Sequence, residues 1–177
     1  IGPKNTSRRF PNYKFCELNP KYFNDVASYS KLLLTKEFYK CFANYDFMLI
    51  YQIDCLVFSS DLDHWCDLGY DYIGAPWFRV KKNAKSGFSR VGNGGLSLRK
   101  IKSFLNVLNS KKPKSWLSFL NESFPDKKFW DLKSKFQVYR EVKYGIDWYI
   151  QNYSLNEDIF WSDRARLFDS KFKIAPI

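Results

Sequence analysis

The chain predicts a mixed α/β domain with a mostly parallel central sheet flanked by helices. Three observations predict it. Residues 47–52 read FMLIYQ, a continuous apolar run of strand length, the kind buried on both faces of a parallel sheet. Residues 29–42 and 100–108 place apolar side chains at helical spacing instead. Strand-like and helix-like segments therefore alternate, with no internal repeat and no long linker between them. A chain of 177 residues fits one domain, 1–177, with a full core.

The elements follow in order. Residues 1–28 are polar and carry Pro3, Pro11 and Pro20, so they read as loops with a short strand around 13–17. From Tyr29 the residues Leu32, Leu33, Phe38, Tyr39 and Phe42 mark one helical face. Asn44-Tyr45-Asp46 ends it, and the strand 47–52 follows. Asp61 suits an N-cap for a short helix, 62–68, stopped by Gly69. Residues 72–75 read as a second strand ended by Pro76. Residues 79–90 (RVKKNAKSGFSR) form a polar, basic loop. Gly92, Gly94 and Gly95 demand close backbone packing or positive φ. The helix 100–108 places Ile101, Phe104, Leu105 and Leu108 on one face. Residues 110–140 are basic and aromatic, with short helical pieces. A last helical region covers 157–167, and 172–175 reads as a final strand.

Composition narrows the function. The aromatic content of 20% excludes a disordered chain. No apolar run reaches the roughly 18–20 residues of a membrane span, and no signal peptide is visible, although the chain opens on Ile1. Cys16, Cys41, Cys55 and Cys66 lack CxxC spacing. His64 and Cys66 make at most half a zinc site. The four cysteines read as reduced, mostly buried thiols of a cytoplasmic protein. The net charge of +11 is concentrated: residues 79–140 carry +13, while the rest carries −2. Residues 41–78 hold six Asp and no Lys or Arg. A basic surface attracts nucleic acid, anionic lipid or phosphorylated ligands; a merely solvated Lys-rich face is the alternative.

Three segments carry candidate chemistry. Tyr51-Gln52-Ile53-Asp54 puts a carboxylate straight after an apolar strand, at the sheet edge where open α/β sheets bind ligands. There Asp54 either binds a divalent ion or caps the next turn. Gly92-Asn93-Gly94-Gly95-Leu96-Ser97-Leu98-Arg99 either brings backbone N–H groups close to ligand oxygens or makes a tight turn. It has neither GxGxxG spacing nor a GK[ST] ending. Asn156-Glu157-Asp158 opens a helix, where acids complement the dipole or supply a general base. Among the aromatics, Trp148 and Trp161 read as core. Trp77, next to a proline and the basic loop, reads as a ligand platform.

Together these segments resemble the nucleotide-sugar site of GT-A-type glycosyltransferases, in a little-characterised bacterial and viral glycosyltransferase-like family. The matching stretches are SKLLLTKEFYKCF, LIYQIDCLVF, WCDLGYDYIGAPWF, VGNGGLSLRK and NEDIFW, across about residues 28–165. The resemblance implies a GT-A-like, Rossmann-like domain that is N-terminally incomplete, because its first nucleotide-binding strand finds no match before Tyr29. It implies that Asp54 is the last Asp of a DxD motif and a ligand for Mn²⁺ or Mg²⁺. It also implies that Gln52, Asn93, Gly94, Gly95 and Arg99 meet the nucleotide donor, by default a UDP-sugar. Asp158, with Glu157 beside it, becomes the catalytic base of an inverting transfer to a glycan or lipid-linked acceptor. Trp77 and Arg90 belong to an acceptor or lid region within 79–140. Gln52 replaces the first Asp of DxD, which weakens the metal site, and the late metal-binding His of many relatives is missing. The basic block suits peripheral contact with an anionic membrane at its inner face. The rival readings are a nucleic-acid-binding protein using the basic aromatic segment 79–140, or a catalytically inactive relative.

Overall fold

The structure is a computed structural model that describes residues 1–3, 6, 11–78, 87–111, 136, 139–140 and 142–177; the side chains of 89 and 90 are outside the description. Most of the expected basic loop 79–90 and most of the basic stretch 110–140, with Trp116 and Trp130, therefore lie outside the described residues.

Among the described residues the domain mixes helices with two small sheets. Strands β1 (Gly2–Pro3) and β2 (Glu17–Leu18) pair in parallel. Strands β3 (Phe47–Tyr51), β4 (Tyr72–Phe78) and β5 (Phe88–Lys100) form a second sheet in the order β3-β5-β4. Both pairings in that sheet are antiparallel. The expected mostly parallel central sheet is therefore corrected among the described residues. The reason lies in β3. Its alternate residues are exposed, with only Ile50 buried, so it behaves as a half-covered edge strand, which antiparallel sheets accept.

The long strand β5 was not expected as a strand at all, because its glycines read as a turn. They sit in a pronounced bulge. Gly74 of β4 pairs with Ser97, yet its neighbour Ala75 pairs with Asn93. One step on β4 thus spans four on β5, and such bulges re-aim side chains. β4 itself runs through Pro76 to Phe78 rather than ending before the proline. Its edge position and irregular register tolerate a residue without an N–H.

The helices pack on the sheet. Helices α1 (Val26–Leu32) and α2 (Lys36–Lys40) replace the single helix expected from Tyr29. The Thr35 hydroxyl accepts the Phe38 N–H and starts α2 afresh. Helix α3 (Leu62–Asp67) follows Asp61 as expected, with Gly69 at φ 74° just beyond its end. Asp61 makes no capping bond, however; its carboxylate takes the Ser59 hydroxyl instead. Helix α4 (Ile101–Leu108) buries Ile101, Phe104, Val107 and Leu108. Helix α5 (Ile146–Gln151) has no counterpart in the sequence reading. Helix α6 (Glu157–Asp163) and a 3-10 turn (Ala165–Leu167) fill the expected last helical region. The final strand reduces to one parallel bridge, Ile174 to Tyr72.

The core is aromatic. Phe104 and Trp161 are fully buried, their ring centroids 4.1 Å apart, with Tyr39, Phe160 and Phe172 around them. Each such side chain contributes about 1.5–3 kcal/mol by burial. Trp161 is core as expected, but Trp148 is 42% exposed and is not. Cys16 and Cys41 form a disulfide across 25 residues, which corrects the expectation of four reduced thiols. Cys55 and Cys66 are free and half-buried. Disulfides persist mainly in oxidising compartments, so the cytoplasmic reading loses the basis it had in reduced cysteines. Among the described residues, no helix is long and apolar enough to cross a membrane.

Candidate functional site

The three signature segments meet on β5. The bulge is closed from within: the Ser97 hydroxyl donates to the Gly94 carbonyl at 3.0 Å, and the Gly95 N–H donates to Asn93 Oδ1 at 3.0 Å. Glycine is required here by space. A Cβ at position 94 would lie 2.4 Å from Glu157 Oε1, and one at position 92 would lie 2.8 Å from Ser162 Cβ. Gly92 also takes φ +103°, a region L side chains rarely adopt.

The turn after β3 approaches from one side. The Gln52 N–H donates to the Gly95 carbonyl at 2.9 Å. Gln52 Oε1 occupies the space above Gly95, 2.7 Å from where a Cβ would stand. Asp54 is exposed at the same turn, with the Cys55 thiol 3.9 Å from its carboxylate. Cys55 in turn leans on the Gly95 carbonyl at 3.5 Å.

Helix α6 approaches from the other side. Its first turn is placed by α1, because the Glu157 N–H donates to the Ser30 hydroxyl at 2.7 Å. Asp158 is 7% exposed. Its Oδ1 accepts the Ile159 N–H at 2.8 Å and its Oδ2 accepts the Gly94 N–H at 3.4 Å. Asp158 and the glycine strand, 64 residues apart, are thus brought together as the sequence reading required.

Arg99 does not do what was expected of it. It is fully buried, and its guanidinium is committed within the fold. Nε donates to Ser97 Oγ at 3.0 Å, Nη1 to the Tyr39 hydroxyl at 2.9 Å and Nη2 to Glu157 Oε1 at 3.0 Å. It also lies against the rings of Tyr72 and Phe104. Arg99 is therefore a positioning residue and not a donor to a ligand phosphate. Burial pushes the Glu157 carboxyl up, against the opposing pull of Arg99. Its Oε2 is buried without a hydrogen-bond partner. Glu157 too is held in the interior rather than offered to a substrate.

The remaining expected residues stand apart from this cluster. Trp77 is half-buried on β4, opposite Arg90 in the register. Arg90 belongs to β5 rather than to a loop. The larger cavity, about 420 Å³, lies on the sheet beside Leu49, Leu98, Ile73 and Trp65 and includes neither acid of α6. It is almost entirely apolar and is not where the motifs converge. A second cavity, about 380 Å³, is bordered by Trp148, Asn152, Tyr153 and Arg164. Sequence reasoning missed it, because these residues follow no motif; the only signal was an aromatic run around 144–153, with Arg164 eleven positions further on.

The class defined by the fold and this cluster is a mixed α/β domain with buried acids set against a glycine-rich bulge. The chain belongs to the DUF5672 family, described as proteins of unknown function, whose model matches residues 12–177. No curated protein and no solved structure matches the chain.

Proposed function

We propose that the chain is a GT-A-type glycosyltransferase, which moves a sugar from a nucleotide-sugar donor to a hydroxyl of a glycan or lipid-linked acceptor in surface-glycan or glycoconjugate synthesis. One observation supports it most: Gly94–Gly95 lies between the turn carrying Gln52 and the carboxylate of Asp158. A donor seated at the edge of this cluster, beside Gln52, would have the base on one side and the Gln52–Asp54 turn on the other.

In this reading Asp158 takes the proton of the acceptor hydroxyl as its oxygen attacks the anomeric carbon. The bond from that carbon to the diphosphate oxygen breaks, and the nucleoside diphosphate leaves with inversion. The Ile159 N–H fixes the orientation of the carboxylate. Arg99 and Glu157 hold the first turn of α6 in place from below. Positive charge to meet the leaving diphosphate comes from the Lys/Arg-rich segment 79–140.

A divalent ion fits these side chains poorly. Gln52 is neutral and packs on Gly95, which leaves Asp54 as the one carboxylate of that turn. Among the described residues, no three His, Cys, Asp or Glu side chains group as metal ligands.

A thermal-shift screen of nucleoside diphosphates and sugar nucleotides, with and without Mn²⁺, tests the reading. A ligand that binds only the folded chain raises its melting temperature. A shift with one nucleoside diphosphate identifies the donor class. No shift with any of them, together with nucleic-acid binding that falls steeply with salt, turns the assignment to the basic segment. Asp158→Asn lowers transfer at least ~100-fold while the fold persists; near-normal turnover would remove Asp158 as the base.

A further inference from the structure

Among the described residues, the second cavity combines aromatic walls with a single cation, and no residue of the glycine–acid cluster lines it. It lies between α5 and the end of α6, with a volume of about 380 Å³, within the range of small-molecule sites. Its walls are aromatic. Tyr149 and Tyr153 stack with ring centroids 5.6 Å apart. Trp148 at the mouth is 42% exposed and leans on Tyr144, itself exposed, at 4.9 Å. An indole left this open offers a flat apolar face, and the C–H faces of a pyranose ring cover such a face well.

The polar groups are few: Asn152 is already engaged, its Nδ2 donating to the Trp148 carbonyl at 2.8 Å. The Tyr153 hydroxyl oxygen is buried without a hydrogen-bond partner. Burial pushes this phenol up, with Tyr149 adding to the effect and Arg164 opposing it, so it stays neutral and both donates and accepts. A sugar hydroxyl, also donor and acceptor, satisfies it. Arg164 is the one charged side chain among the described residues that line the cavity, and no salt bridge engages it among them. Its planar fork binds a carboxylate through two parallel hydrogen bonds.

We infer that this cavity binds a saccharide carrying a carboxylate, with the sugar ring on Trp148, a hydroxyl on Tyr153 and the carboxylate on Arg164. Arg164 follows the end of the helix that begins with Glu157-Asp158. It lies six positions after Asp158, about 9 Å along a helix axis. Use of the cavity as an acceptor subsite rests on the transferase reading; saccharide binding itself does not.

The test is calorimetric titration of the whole chain with a hyaluronan tetrasaccharide, with its methyl ester as the uncharged control. The protein's positive charge attracts any polyanion, so the variants decide. Arg164→Gln and the methyl ester each weaken binding at least ~10-fold, and Trp148→Ala at least ~5-fold. Trp148→Phe retains part of the affinity. Unchanged melting temperatures show that the variants are folded. Binding unaffected by both Arg164→Gln and Trp148→Ala overturns the inference, as does no binding at millimolar tetrasaccharide. Displacement by inorganic phosphate or UMP at equal concentration overturns it too, in favour of a simple anion or nucleotide site. Variant-sensitive tetrasaccharide binding without any nucleotide thermal shift keeps this site and removes the transferase assignment.

Discussion

The buried pair Arg99 and Glu157 explains why glycine occupies position 94. Glu157 Oε1 is drawn to Arg99 at 3.0 Å, and that places the same oxygen where a side chain at 94 would begin. Neither partner can retreat cheaply, because a buried charge separated from its counter-ion costs about 3–5 kcal/mol. Gly94→Ala is therefore expected to destabilise the fold by roughly 1–3 kcal/mol. Gly95→Ala meets only the flexible end of Gln52 and the Asn93 amide, so it is expected to cost much less. Urea unfolding of the two variants checks the contrast. Equal losses would mean that the glycines serve backbone conformation alone. Arg99 shows the limit of reading residues singly: an Arg after a glycine run suggests a phosphate ligand, and only its three buried partners reveal a structural role.

At the scale of elements, α1 carries the local code most plainly. Asp25 accepts the Ser28 N–H at 2.7 Å, and the Asp25 N–H donates to the Ser28 hydroxyl at 3.2 Å, a reciprocal cap. The bonds from Ser28 hold the Asp25 carboxyl below its ordinary value of 3.8. A depressed carboxyl favours the folded state when ionised. Its contribution is present above that ordinary value and is lost as pH falls through the lower folded one. Asp25→Asn keeps the cap and removes the titration. The stability difference between wild type and Asp25→Asn is expected to be constant from pH 5 to 7 and to narrow on acidification below about 4. A difference that widens on acidification would contradict this origin. The β elements are less local. β3 and β4 were legible as apolar runs, but β5 was hidden because glycines read as turns. What makes it a strand is its two partners, which a single sequence window does not contain.

At the scale of the molecule, the Cys16–Cys41 disulfide ties the N-terminal segment to the end of α2. In the chain-entropy account, closing a loop of this length contributes about 3.5 kcal/mol by restricting the unfolded chain. Reduction with dithiothreitol, or the double variant Cys16→Ser with Cys41→Ser, is expected to lower the melting temperature by several degrees. A melting temperature indifferent to reductant would show that the pair contributes no cross-link in solution. The charge division is also a property of the whole. An acidic, lysine-free block supplies β3, α3 and β4, and its apolar residues remain unusually open, with Phe58 92% and Ile53 101% exposed. The basic block follows it directly along the chain.

The sequence by itself determined the α/β class, the strand at 47–51, the first half of the strand at 72–78, the helices at 62–67, 101–108 and 157–163, and the three segments that converge. Those features rest on local periodicity, caps and strand-length apolar runs, all encoded within a few residues. Only the tertiary structure decided the rest. It made the sheet antiparallel, because β5 pairs with both β3 and β4 across long separations. It buried Arg99 and Glu157 together, exposed Trp148, and joined Cys16 to Cys41. It also opened the cavity beside Arg164. Each of these outcomes depends on which distant surfaces meet, and a residue's neighbours in space are not written in its neighbours along the chain.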